Sequence, residues 1–95
     1  MFDFNKYSLV EKHLQEATQL VSDALKQSGC PECVKDIYEY IEFGEGGLAL
    51  EALCGSLYNF SCPVPRRAYE LIEKAGTGME MDKKQWERLN PLVKD

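Results

Sequence analysis

Two of the four cysteines form the motif CPEC at residues 30–33, the stretch of this chain whose residue types and spacing could most readily do chemistry. Two thiolates at this spacing can supply half of a zinc site. The other half would have to come from Cys54, Cys62 or His13, none of which is paired at ligand spacing. Zinc binding is therefore a weak alternative, and we expect no bound metal.

A redox pair is the second chemistry that the CPEC motif allows. Redox-active pairs of this kind normally follow a strand in a βαβ pattern, and no strand pattern precedes Gly29. The chain also shows neither a secretory signal pattern nor an apolar run long enough to span a membrane, so a cytoplasmic protein is the default expectation. Because thiols stay reduced in that compartment, we expect Cys30 and Cys33 to be free thiols at a helix start.

The remaining candidates for chemistry have simpler interpretations. The only histidine, His13, lies beside Leu14 in an ordinary amphipathic pattern, so we interpret it as a surface or boundary residue. The glycine-rich stretch EFGEGG at residues 42–47 resembles phosphate-binding loops. Its glutamates would repel a phosphate, however, and no Lys or Arg occurs between Lys35 and Arg66. We expect no catalytic site, no cofactor and no enzymatic activity.

Charge is distributed unevenly along the 95 residues. Residues 1–47 hold nine Asp or Glu against four Lys, whereas residues 48–95 hold seven acidic and seven basic residues, so the whole net charge of −5 lies in the first half. Such a surface repels nucleic acid and anionic lipid and attracts a basic protein. We therefore expect a protein partner and no direct contact with nucleic acid or membrane.

The acids are densest in and after the second predicted helix, beside two aromatic residues. Like charges at helical spacing destabilise a helix, and acids near a helix end oppose its dipole. Aromatic residues can anchor a partner, while carboxylates steer a cationic one. We predict a partner-binding surface made of Glu32, Asp36, Glu39, Tyr40, Glu42, Phe43 and Glu45.

Helical periodicity dominates the first half of the chain. Residues 9–27 predict one helix, with Ser8 and Glu11 as a capping box and Gly29 as the stop. Pro31 suits the first position of a second helix. That helix is expected to bury the stripe Val34, Ile37, Tyr38 and Ile41.

The glycines and prolines that follow predict the remaining boundaries. Gly44 would stop the second helix, Gly46 and Gly47 would turn the chain, and Leu48 would enter a third helix, apolar nearly all round, in the middle of the bundle.

A fourth helix would open at Pro65 and stop at Gly76 and Gly78, and Asp82 would cap a short fifth one that Pro91 ends or bends. The sequence predicts an all-α, compact, single-domain bundle of four to five helices over residues 1–95.

Several stretches together resemble the MafI-like immunity proteins. They are YIEFGEGGLALEALCGSLY at residues 40–58, then PVP, AYELIE at 68–73, GMEMD and Trp86, so that the resemblance covers roughly residues 34–93. These immunity proteins are small cytoplasmic bacterial proteins that neutralise the C-terminal toxin domain of MafB-type or contact-dependent inhibition toxins.

The resemblance implies a stoichiometric inhibitor of a cognate toxin domain, expected to be a nuclease with a basic substrate groove. In that interpretation the acidic surface occludes the groove and performs no chemistry. A helical adaptor or regulatory module without a toxin partner remains the alternative from a different functional class.

Overall fold

A computed structural model describes the backbone of residues 4–95 and the side chains of residues 8–95. The all-α prediction is confirmed, since these residues form five helices and only a minimal pair of strands. The elements in chain order are α1 (Phe4–Gln27), α2 (Pro31–Glu42), α3 (Gly46–Asn59), β1 (Val64–Pro65), α4 (Arg66–Gly78), α5 (Lys84–Glu87), a 3₁₀ turn (Asn90–Leu92) and β2 (Val93–Lys94).

Helix α1 is the element against which the others assemble. It packs against α2, α3 and α4, while α3 also contacts α2, α4 and α5. Its predicted apolar stripe is buried, from Val10 through Leu14 and Val21 to Leu25. Thr18 is the buried polar side chain of this stripe, and its hydroxyl donates to the Leu14 carbonyl at 2.7 Å, which satisfies the group within the helix. The core is therefore continuous along one face of α1.

The four long helices end in the same hydrogen-bonded turn. After α1 the Cys30 N–H donates to the Leu25 carbonyl and the Gly29 N–H to the Lys26 carbonyl, at 3.1 Å each. This is the Schellman pattern, which needs a left-handed residue at the turn. Gly29 (φ 104°) and Gly44 (φ 74°) supply it after α1 and α2, as predicted. Ser61 (φ 49°) and Glu80 (φ 56°) supply it after α3 and α4.

Two predicted helix starts are wrong. Helix α1 begins at Phe4, so Ser8 and Glu11 lie inside it and cannot form a capping box at its start. Gly46 and Gly47 are the first two residues of α3 and do not turn the chain. The reversal between α2 and α3 is completed by Gly44 alone, because one left-handed residue is enough to close a Schellman turn.

Of the two glycines predicted to stop α4, Gly78 is its last residue, whereas Gly76 lies inside the helix. Gly76 serves packing and does not end the helix, because a Cβ there would overlap the indole ring of Trp86. The predicted inward position of Tyr38 is wrong. Tyr38 is 37% exposed, whereas Val34, Ile37 and Ile41 are buried as expected. A stripe of three aliphatic side chains is thus sufficient to seat α2.

The C-terminal segment closes the bundle. Asp82, the predicted cap of α5, lies one residue before the N-cap Lys83, and its carboxylate accepts the Lys84 N–H at 2.9 Å. Trp86, within α5, and Leu89, just after it, are buried in the core. Strand β2 then pairs in parallel with β1, with Val93 opposite Val64. No helix among the described residues is long and apolar enough to cross a membrane.

Candidate docking surface

Helix α2 is positioned by clear local signals at both of its ends. Pro31 occupies the first turn, where its missing N–H is no loss. At the other end Gly44 closes the turn, with the Glu45 N–H donating to the Tyr40 carbonyl at 2.8 Å. The buried aliphatic stripe fixes which side of α2 faces the core. Every other side chain of α2 is consequently placed at an edge of that contact or in solvent.

All seven predicted partner-binding residues are exposed, and we call them the acidic face. The spacing of Glu32, Asp36, Glu39 and Phe43, at i, i+4, i+7 and i+11, places them on the side of α2 opposite its buried stripe. Tyr40 and Glu42 lie on the two flanks, and Glu45 follows the helix end as the N-cap of α3. Whether the acidic face binds a partner stays a prediction.

Within residues 8–95, the carboxylates of the acidic face form no ion pair. Among residues 8–95 the ion pairs are Arg66 with Asp95 at 2.9 Å and Arg67 with Glu16 at 3.2 Å, both remote from α2 in sequence and both exposed. The last turn of α2 carries no basic residue, although acids there oppose the helix dipole. The arrangement therefore lowers the stability of α2 and leaves its negative charge free for an external cation.

Phe43 is the most exposed large apolar side chain of the described residues, at 77%. It lies one turn beyond Glu39 on the outward side of α2. Leu48, at the start of α3, and Tyr38 are also exposed. The sequence had assigned both to helix stripes facing the core, so these two assignments are wrong.

The structure overturns the prediction that Cys30 and Cys33 are free thiols. The two residues form a disulfide within the first turn of α2. The prediction failed because it rested on the expected compartment, and because the spelling CPEC is compatible with either bonded state. Cys54 and Cys62 are buried free thiols, and burial raises the pKa of Cys54 to about 12.

His13 lies at the edge of a shallow groove between α1 and α4. The groove has a volume of about 660 Å³ and is lined by both apolar and charged side chains, among them Leu9, Glu73 and Lys74. Partial burial, followed by the positive charge of Lys74, lowers the pKa of His13 below its usual value. The boundary position predicted for His13 is confirmed.

The three arginines of the second half contact neighbouring side chains. Arg66 and Arg67 form the two ion pairs, as the interpretation of a solvated face expects. The Arg88 guanidinium lies 5.2 Å from the centre of the exposed Tyr58 ring, a cation–π contact that sequence reasoning missed. Only the three-dimensional packing of α5 on α3 brings these two residues together.

Among the described residues, no group of three or more His, Cys, Asp or Glu side chains is placed to hold a metal ion. No protein-family model matches the chain, and neither a curated protein nor a solved structure matches it. By its fold and its surface, this protein is a small all-α bundle with an exposed face of acidic and aromatic residues.

Proposed function

We propose that this protein is an immunity protein that binds and neutralises a cognate toxin domain through its acidic face. The observation that carries the proposal is Phe43, which is 77% exposed in the middle of carboxylates that have no cationic partner within residues 8–95. Exposed aromatic side chains surrounded by charge are typical of interaction sites. The resemblance to the MafI-like immunity proteins supplies the kind of partner.

The partner that fits this chemistry is a nuclease toxin domain with a basic substrate groove. Its Lys and Arg side chains would otherwise hold the phosphates of RNA or DNA. Carboxylates of the acidic face, such as Glu39 and Glu42, compete for these cations, while Phe43 provides the desolvated anchor. Inhibition follows from occlusion in the cytoplasm and requires no catalytic group on this chain.

Electrostatic steering matters for this function, because one uninhibited toxin molecule turns over many substrates. Complementary charge raises association rates above the usual protein–protein range, and the effect falls with ionic strength. An acidic face without internal ion pairs presents its full charge to the partner. Association should therefore be fast at low salt and slow progressively as salt is added.

The test purifies the product of the adjacent gene, as the candidate toxin, with and without this protein. Reversing Glu39, Glu42 and Glu45 to Lys should slow association at low salt by about tenfold or more and flatten its salt dependence. Phe43→Ala should raise the Kd by about tenfold or more, chiefly through faster dissociation. Stopped-flow or surface binding measures the rates, and a nuclease assay measures inhibition.

A matched control reverses Glu70, Glu73 and Glu87 to Lys, which changes the net charge equally on exposed positions of α4 and α5. This variant should protect toxin-expressing cells as the original chain does. Equal loss of binding in both triple variants would show that only net charge matters and would refute the acidic face. Tight binding that leaves the nuclease fully active would favour the adaptor alternative.

A further inference from the structure

The disulfide between Cys30 and Cys33 joins two residues that the helix already holds together. They are three positions apart in the chain, and the Cys33 N–H donates to the Cys30 carbonyl at 3.1 Å in the same turn. The stabilisation that a cross-link gives grows with the length of the loop it closes, and this loop is close to the shortest possible. All five helices contribute side chains to one hydrophobic core, and neither Cys30 nor Cys33 belongs to it.

The position of the bond suits thiol chemistry. Cys30 is the N-cap of α2, and no side-chain hydrogen bond caps this helix start. A thiolate at a helix N-terminus is stabilised by the positive end of the helix dipole. Both cysteines are partly exposed, so an external sulfur can reach the pair.

The other two cysteines have the opposite environment. Cys54 is completely buried, and burial holds it in the thiol form with its pKa raised. Cys62 is 1% exposed, and its Sγ lies 3.2 Å from the Ser28 Oγ. Buried thiols are inert, because the thiolate is the reactive species and must be accessible. Reactive sulfur in this chain is thus confined to the CPEC motif.

We propose that Cys30 and Cys33 are a redox-active pair that exchanges two electrons reversibly with an external dithiol or with two molecules of glutathione. In the reducing direction an external thiolate attacks one sulfur of the pair. The S–S bond breaks, and its electron pair stays on the other sulfur, which takes up a proton. A second external thiol, after losing its proton, attacks the mixed disulfide and releases the first sulfur, so that two thiols and one external disulfide result.

The reduced state is stabilised mainly at Cys30. Cys30 is the N-cap residue, and a thiolate at this position gains from the positive end of the helix dipole. The oxidised state is favoured by the helical turn, which keeps the two Cα atoms 5.3 Å apart, within the range of ordinary disulfides. Because the helix N-terminus favours the reduced pair and the helical turn favours the disulfide, exchange can proceed in both directions.

The first experiment equilibrates the full chain in glutathione buffers of graded ratio, quenches with acid and labels thiols with a maleimide polymer. We expect a single step of two thiols, assigned by peptide mass to Cys30 and Cys33, with unchanged helicity by circular dichroism. Addition of oxidised glutathione should reverse the step. The variant C30A/C33A is the control and should show no step.

The second experiment compares C33A, which leaves Cys30 free, with C30A, which leaves Cys33 free. Iodoacetamide at pH 7 should modify Cys30 about fivefold faster than Cys33, because only the N-cap sulfur gains the full effect of the helix end. A pair that stays oxidised in excess reduced glutathione, or stays reduced in oxidised glutathione, would overturn the proposal. Equal alkylation rates for the two cysteines would overturn it as well.

Discussion

Gly76 lies inside α4, and glycine weakens a helix at such a position. The buried ring of Trp86 explains why glycine is found there. A Cβ at this position would overlap three carbon atoms of the indole. Gly76→Ala should therefore destabilise the protein by about 1–3 kcal/mol, since either α4 or the indole must move. Urea unfolding followed at 222 nm measures the change in the free energy of unfolding.

Gly47 provides the matched control for that substitution. It also lies in a helix, but a Cβ there would meet nothing within 4 Å. Gly47→Ala should stabilise the protein by about 0.4–1 kcal/mol, because alanine has fewer conformations to lose on folding. If both substitutions changed stability in the same direction, the contact between Gly76 and Trp86 would not explain why position 76 is a glycine.

The turns that end the long helices differ in the residue that adopts the left-handed conformation. Glu80 holds φ 56° after α4, a conformation that costs a side-chain-bearing residue about 1–2 kcal/mol. Glu80→Gly should therefore stabilise the protein by about 1 kcal/mol. Thermal and urea unfolding measure this gain.

Glu70 is the comparison within the same helix, because it is exposed in α4 and forms no ion pair among residues 8–95. Glu70→Gly should destabilise by about 1 kcal/mol, as glycine does in a helix interior. A loss of stability in Glu80→Gly as well would mean that the Glu80 side chain contributes more than its backbone conformation costs.

Element boundaries could be predicted from the sequence where one local signal had one meaning. Pro31 and Gly44 delimit α2 correctly, because proline suits a first turn and a left-handed turn favours glycine. Glycine is ambiguous elsewhere, since it also serves close packing, and this explains the misplaced end of α4 at Gly76. The left-handed Ser61 and Glu80 carry no such signal, because tertiary contacts and the turn hydrogen bonds impose their conformation.

At the scale of the whole molecule, the C-terminal segment is part of the core despite its short elements. Leu89 is completely buried beyond α5. Leu89→Ala should cost about 2–5 kcal/mol, a large part of the about 5–15 kcal/mol that stabilises a typical domain. The urea midpoint should fall in one transition observed by both circular dichroism and fluorescence.

Leu48→Ala is the same chemical change at an exposed position, since Leu48 is 45% exposed at the start of α3. It should alter stability by about 0.5 kcal/mol or less. Two separate transitions in Leu89→Ala would show instead that the C-terminal segment unfolds independently of the bundle.

The composition of the acidic face could be predicted from the sequence, but its apolar extent and the state of its neighbouring cysteines could not. Helical spacing alone places Glu39 and Phe43 opposite the buried stripe. Exposure of Leu48 depends on how α3 is rotated against α2, which no local pattern encodes. The bond between Cys30 and Cys33 depends on the two sulfur atoms meeting in one helical turn and on their oxidation state.

The burial of Trp86 against Gly76 also gives the molecule an internal optical reporter. Trp86 is the only tryptophan of the chain, and its ring is 3% exposed. Its emission should be blue-shifted and poorly quenched by iodide while α5 stays on α4. Because the acidic face lies on α2, a ligand bound there should leave this emission unchanged. Tryptophan fluorescence can thus distinguish loss of binding from loss of folding in the variants of the acidic face.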